Sequence, residues 1–126
     1  MKKKVLDRRK VRERSGKQSM GEMMDLKQAV QKLSEAIGKT TELFYTQKEA
    51  EGYRAFGLLL EPMSGLLDSL FSVRAVQGKP EFDEKELVQL LTDAVNAMEA
   101  RDSVLLADIL QYDFLDRLEQ IAGQLE

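Results

Sequence analysis

The chain has 126 residues, a length that one hydrophobic core can serve, and its 33% charged and 43% apolar residues are typical of a globular domain. It contains no Cys and no His, which excludes disulfides, thiolate or imidazole metal ligands, and catalysis by either side chain. The formal net charge of −3 conceals two opposite parts, since residues 1–17 carry +7 and residues 18–126 carry −10.

The first seventeen residues are strongly basic, with nine Lys or Arg side chains against two acidic ones. Residues 1–19 lack a sustained apolar stripe, so we predict that they form a disordered arm. Such a charge suits phosphates or an acidic protein surface, but the arm has no aromatic side chain for base stacking. The alternative is a solubilising tail without a ligand, or one that folds back on the acidic body. The candidate partner-binding or anion-binding residues are Lys2, Lys3, Lys4, Arg8, Arg9, Lys10, Arg12 and Arg14.

Apolar side chains then recur at steps of three and four from about residue 21 to residue 45, which predicts an amphipathic helix. The stripe consists of Met23, Leu26, Val30, Leu33, Ile37, Thr40 or Thr41, and Phe44. Three methionines lie where the arm meets this helix, namely Met20, Met23 and Met24. They offer an adaptable apolar groove for a partner, with ordinary core packing as the alternative.

A second apolar stripe follows, with a proline inside it. Thr46 and Glu49 have the spacing of a capping box, although one continuous helix through this point is the alternative. Pro62 predicts a kink, because proline removes a backbone donor and collides with the preceding turn. Gly57 and Gly65 flank the proline and would let another backbone approach closely. The helix is predicted over about residues 47–76, with the stripe Tyr53, Phe56, Leu60, Met63, Leu67, and Leu70 or Phe71.

The third helix has the clearest boundaries. Gly78 suits the left-handed position that ends a helix. Asp83 and Glu86 have the spacing of a capping box, and Phe82 before them can pack on Leu87 as a hydrophobic staple. The sequence therefore predicts a new helix over about residues 84–101.

The fourth helix is predicted over about residues 103–125, with Asp102 or Ser103 as its N-cap. It carries two early apolar stripes, Leu105–Ile109–Tyr112 and Leu106–Leu110–Phe114. A helix that is apolar around much of its circumference is usually central in a core.

Strand patterns are absent from the sequence, so the predicted fold class is all-α. Four helices with short links predict an antiparallel four-helix bundle over residues 20–126, preceded by the basic arm. A long bent hairpin that completes its core by dimerising is the alternative. No apolar run comes near the ~20 residues of a membrane helix. No export signal is recognisable either, so a cytoplasmic location is expected.

The chemistry available to the chain is limited. A bundle di-metal site normally uses Glu-x-x-His pairs, and neither a catalytic Ser–His arrangement nor a glycine-rich phosphate loop occurs. We therefore expect no enzymatic activity, no cofactor and no metal. Asp108 lies in a very apolar neighbourhood, where a buried carboxylate would need a partner such as Arg54, Arg74, Arg101 or a tyrosine hydroxyl. The alternatives are a ligand-binding carboxylate and a side chain that faces water.

Two stretches resemble a family of small all-helical proteins of Gram-positive bacteria that has no established activity. They are EGY at residues 51–53 followed by GLLDSL at residues 65–70, and AMEARDSVLLADILQYD at residues 97–113. The resemblance covers about residues 45–120 and implies a helical fold in a bacterial cytoplasm. Gln111 and Asp113 depart from the family pattern, in which Glu is commoner. The resemblance also suggests a specific structural role for Asp108 and Tyr112.

The function favoured by these observations is that of a non-enzymatic helical interaction module, adaptor or chaperone-like, that binds a protein partner or a second copy of itself. A nucleic-acid-associated protein that binds phosphates through the basic arm is the alternative. Membrane binding is not expected, because the arm has too few apolar side chains for a lipid interface.

Overall fold

The computed structural model describes residues 25–125, and all regular secondary structure within them is helical. The basic arm and the groove expected at Met20, Met23 and Met24 lie outside the described residues. The helices are α1 (described over residues 25–45), α2 (Glu49–Gln77), α3 (Glu84–Glu99), α4 (Ser103–Asp108), a π-helical stretch (Ile109–Phe114) and α5 (Leu115–Gln124). The last three follow one another without a break, so the described chain contains four helical rods.

The link between α1 and α2 is a Schellman motif. Gln47 has a left-handed backbone with φ of 65°. Its N–H donates to the Phe44 carbonyl at 3.0 Å, and the Lys48 N–H donates to the Leu43 carbonyl at 2.7 Å. These bonds satisfy carbonyls at the end of α1 that would otherwise lack a partner. The two helices are therefore separate.

The capping box expected at Thr46 and Glu49 does not form. The Thr46 hydroxyl donates to the Glu42 carbonyl at 2.8 Å, in the preceding turn of α1. The N-cap of α2 is Lys48, which makes no side-chain capping bond. The capping box does not form because the left-handed turn at Gln47 keeps Thr46 next to the last turn of α1, where its hydroxyl donates to the Glu42 carbonyl.

Helix α2 runs through Pro62 as one element of 29 residues. An added Cβ at Gly57 or Gly65 would meet nothing within 4 Å, so the close approach expected at these two glycines is wrong. The close approach is at Gly52 instead, where an added Cβ would lie 2.7 Å from the Phe44 ring. The reason is that the first turn of α2 packs directly on the end of α1.

By length and composition alone, α2 is apolar enough to cross a membrane, with a mean hydropathy of 1.3 over its most apolar 18 residues. This corrects the expectation that no run of the chain approaches that requirement. A core helix passes the same test, and one face of α2 is fully buried among apolar side chains of the other helices. That face includes Phe56, Met63 and Leu70.

The corner between α2 and α3 follows the local sequence in part, because the Asp83 half of the predicted capping box forms and the Glu86 half does not. Gly78 has φ of 73° and its N–H donates to the Arg74 carbonyl, which ends α2. The Asp83 carboxylate accepts the Glu86 N–H at 3.2 Å and caps α3. The Glu86 side chain pairs with Arg117 of α5. Its contact therefore ties α3 to the last helical rod.

Aromatic packing closes the same corner. The Phe82 ring stacks on Phe71 with centroids 5.7 Å apart, and the Arg74 guanidinium lies 5.2 Å from the Phe82 centroid. Arg74 also pairs with Glu84 at 3.3 Å.

One apolar core joins the four rods. Its fully buried members come from every rod and include Val30, Ile37, Phe56, Met63, Leu70, Leu87, Leu106, Leu110, Phe114, Leu118 and Ile121. Polar contacts between the described elements lie around this core. They join Thr41 to Gln111, Tyr45 to Asp108, Glu49 to Ser103, Arg74 to Glu84, Glu81 to Gln124 and Glu86 to Arg117.

Candidate functional site

An exposed apolar surface surrounds Asp108, on the side of α4 and the π-helical stretch where α1 ends. Val104 and Tyr112 are each 68% exposed, Tyr45 is 50% exposed and Leu105 is 48% exposed. Val104 and Leu105 lie four and three residues before Asp108, and Tyr112 lies four residues after it, which places them along one side of the last rod. We call Tyr45, Val104, Leu105, Asp108 and Tyr112 the Asp108 surface.

Tyr45 connects α1 to this surface. Its hydroxyl donates to Oδ1 of the half-buried Asp108 at 3.1 Å. Burial of the hydroxyl, the hydrogen bond to Asp108 and the nearby Tyr112 together raise the pKa of Tyr45 to about 12. Each of these effects favours the neutral phenol over the phenolate. The phenol therefore remains a donor to Asp108 throughout the physiological pH range.

Thr41 provides a second contact between the same two rods. It is only 2% exposed. Its hydroxyl donates to the Gly38 carbonyl at 2.8 Å and lies 3.0 Å from Oε1 of Gln111. Because buried polar groups are costly without partners, this contact fixes how α1 lies on the π-helical stretch.

The π-helical stretch decides which side chains reach the surface. The Leu115 N–H donates to the Leu110 carbonyl, five residues earlier. The stripe Leu106–Leu110–Phe114 is fully buried. The other predicted stripe is not, because Leu105 and Tyr112 face outward and only Ile109 is buried. Short π-helical stretches within α-helices occur frequently at functional sites.

The start of α4 is held by a compact turn. Arg101 has φ of 57°, and the N–H groups of Arg101 and Asp102 donate to the Met98 and Ala97 carbonyls. The Arg101 guanidinium lies 5.0 Å from the centroid of the Tyr53 ring. These contacts fix the position from which Val104 and Leu105 project.

Two side-chain bonds complete this turn. The Asp102 carboxylate accepts the Leu105 N–H at 3.0 Å and caps α4. The Ser103 hydroxyl donates to the Glu49 carboxylate at 3.1 Å, which ties α4 to the start of α2. Asp102 is thus the N-cap of α4, and Ser103 bonds across to another rod.

The partner of Asp108 is therefore a tyrosine hydroxyl. Arg74 and Arg101, which were also candidates, contact Glu84 and Tyr53 respectively. Within residues 25–125, no salt bridge reaches Asp108. Tyr112 lies beside Tyr45 rather than in the core.

The other acidic residues of the last two rods do not assemble into a metal centre. No group of three potential ligands is close enough to hold a metal ion among the described residues. Asp93 accepts from Gln89, and Asp116 accepts from Arg117 and Gln120. Pairing with Glu86 raises the pKa of Arg117.

A second surface lies between α1 and α2. It is an apolar groove of about 470 Å³ formed largely by small side chains. The lining includes Ala29, Ala36, Pro62, Gly65 and Ser69. Its charged member is Lys32, and it contains no carboxylate. Leu26 and Leu33 of the predicted α1 stripe also line it, so the groove borders the apolar face of that helix.

The sequence profile of the DUF8042 family, described as a domain of unknown function, matches residues 22–124. Comparison with curated proteins and with solved structures gives no match. The matched range includes all four rods and every residue of the Asp108 surface. The chain therefore belongs to the DUF8042 family.

Proposed function

We propose that this protein is a non-enzymatic helical interaction module that binds a protein partner through the Asp108 surface. The observation that carries this proposal is the exposure of Tyr45, Val104, Leu105 and Tyr112 around a single hydrogen-bonded carboxylate. Fully burying one such side chain contributes about 1.5–3 kcal/mol. An apolar surface of this kind, with a fixed polar group inside it, is typical of a binding site for another protein.

The proposed architecture is an antiparallel four-helix bundle. Contacts between α1 and the last rod join residue 45 to residue 108 and residue 41 to residue 111. Contacts between α3 and the last rod join residue 86 to residue 117 and residue 81, just before α3, to residue 124. In both pairs of helices, the residue numbers of successive contacts increase along one helix and decrease along the other. This is expected for neighbouring helices that run in opposite directions. We also propose the cytoplasm of a bacterium as the setting, on the resemblance stated above.

The Val104→Asp variant tests the proposed binding surface, because it places a charge in the middle of it. Val76→Asp is the matched control, since Val76 is 85% exposed on α2 and lies outside the surface. Tagged full-length proteins are used for affinity purification from the native host, with the retained proteins identified by mass spectrometry. Sedimentation velocity of the same proteins measures self-association.

The expected result is a partner retained by the wild type and by Val76→Asp but lost from Val104→Asp. Circular dichroism should show the same melting temperature for all three proteins, because both valines are exposed. Equal recovery of every partner, together with unchanged self-association, would show that the surface is not a binding site.

The segregated charge favours a second candidate function, binding of nucleic-acid phosphates by the basic arm. Residues 1–17 carry +7. Counterion release would make this binding strongly dependent on salt. The test is titration of DNA and RNA at two salt concentrations, with the full chain and with a chain lacking residues 1–17. Binding that depends on neither the arm nor the salt eliminates this candidate.

A further inference from the structure

Among residues 25–125, no cation pairs with the carboxylate at the centre of the Asp108 surface. This carboxylate accepts from Tyr45 through Oδ1. A carboxylate has about four acceptor positions, so it can accept further hydrogen bonds. Two tyrosine rings and two aliphatic side chains stand around it, each about half exposed or more.

The net charge of residues 25–125 also favours a positively charged partner. Residues 25–125 contain eighteen acidic and ten basic side chains, which gives a net charge of −8. Phosphates of nucleic acid or of an anionic membrane would be repelled by this charge. A second copy docked through the same surface would place one Asp108 close to the other, without a cation between them.

We infer that the partner segment for this surface is an amphipathic helix carrying an arginine that pairs with Asp108. This inference rests on the proposed function and specifies the chemistry of its partner. The guanidinium donates to the free acceptor positions of the carboxylate while its faces contact the Tyr45 and Tyr112 rings. Arginine fits better than lysine, because its planar fork stacks on aromatic rings and binds carboxylates through two hydrogen bonds.

The spacing of the surface sets the pattern of the partner. Val104 and Leu105 lie one helical turn before Asp108, about 5 Å along the axis. A partner helix lying along the last rod therefore places an aliphatic side chain one turn away from its arginine. Residues at i and i+3 or i+4 on one helical face have this separation.

The test uses two fluorescent 18-residue peptides with an alanine-rich helical sequence. One carries leucine and arginine one turn apart, and the other has the neutral isostere citrulline in place of arginine. Fluorescence anisotropy measures the Kd of each peptide for the full chain. The variant Asp108→Asn retains an acceptor for the Tyr45 hydroxyl but removes the charge. Asp68→Asn on α2 is the control for overall charge, since Asp68 is an exposed acid outside the Asp108 surface.

The expected result is at least tenfold tighter binding of the arginine peptide than of the citrulline peptide by the wild type and by Asp68→Asn. Asp108→Asn should bind both peptides equally and should keep the wild-type melting temperature. Equal binding of the two peptides by the wild type would overturn the inference. Equal loss of affinity in Asp68→Asn would overturn it too, because attraction by overall charge would then suffice.

Two further outcomes separate the possible occupants and the two proposals. If a peptide of residues 1–17 binds more tightly than the arginine peptide, and removing those residues from the chain strengthens peptide binding, the occupant is the chain's own arm and the partner assignment is overturned. If Val104→Asp loses its cellular partner while the wild type binds the arginine and citrulline peptides equally, this inference fails and the proposed function stands. If Val104→Asp keeps every partner, the proposed function fails.

Discussion

Gly52→Ala tests how α1 and α2 pack against each other. Gly52 is buried in the first turns of α2, and an added Cβ would lie 2.7 Å from Cε1 of Phe44 and 2.8 Å from Cδ1 and Cζ. Phe44 is only 7% exposed, and its ring meets Tyr53 edge to face at 5.1 Å. The ring is held on both sides, so it has little freedom to move away.

The expected change in the free energy of unfolding combines two opposing contributions, steric overlap with the Phe44 ring and the higher helix propensity of alanine. Favourable carbon contacts lie at about 3.5–4.0 Å, so the ring and the helix must separate by nearly 1 Å. Overpacking of this kind costs about 1–3 kcal/mol. Replacing glycine by alanine in a helix stabilises it by about 1 kcal/mol. We expect Gly52→Ala to lower the free energy of unfolding by about 0–2 kcal/mol.

Gly57→Ala is the matched control on the same helix, since an added Cβ there meets nothing within 4 Å. It should raise the free energy of unfolding by about 0.5–1 kcal/mol. Because the helix propensity cancels between the two variants, their difference of about 1–3 kcal/mol measures the overlap alone. Urea unfolding followed by circular dichroism at 222 nm gives both values.

Equal stabilisation by the two substitutions would refute the argument that the Phe44 ring is fixed against Gly52. Phe44→Leu provides an independent check, because it removes the ring that the new Cβ meets. In that background Gly52→Ala should cost about 1 kcal/mol less than in the wild type, a coupling expected for residues in contact.

Three further substitutions test single contacts. The Tyr53 hydroxyl is buried and has no hydrogen-bond partner among residues 25–125. Tyr53→Phe should leave the stability unchanged or raise it by up to about 1 kcal/mol in urea unfolding, and a clear loss would show a missed partner. Tyr45→Phe should cost about 0.5 kcal/mol at pH 7, at the low end for a hydrogen bond because the ring is half exposed. Since the pKa of Tyr45 is raised to about 12, this contribution is complete below pH 10 and lost as the pH rises to 12. Melting temperatures at pH 7, 9 and 11 check this, and a cost that is unchanged at pH 11 would contradict it. Asp102→Ala should cost about 1 kcal/mol by removing an N-cap, whereas exposed Asp113→Ala should have little effect on the same melt.

The ends of the helices are determined by the sequence. Gly78 adopts the left-handed conformation that ends α2, and Asp83 and Asp102 accept the backbone N–H groups that begin α3 and α4. These signals act within about four residues of the chain, although the box expected at Thr46 and Glu49 does not form and the Glu86 side chain pairs with Arg117 instead. The sequence also predicts two apolar stripes on the last helix, since helical spacing is a local property, and the stripe from Leu106 to Phe114 is the buried one.

The side of the last rod that remains exposed was decided by the tertiary structure. Two apolar stripes were available in the sequence, and the π-helical stretch with the position of α1 left Leu105 and Tyr112 outside the core. Tyr45 reaches Asp108 across 63 positions of the chain, and Gly52 rather than Gly57 meets an aromatic ring of α1. Such contacts depend on how whole helices lie against one another. Local spacing carries no information about that arrangement, so the sequence determined the helices and their ends, while packing determined the candidate binding surface.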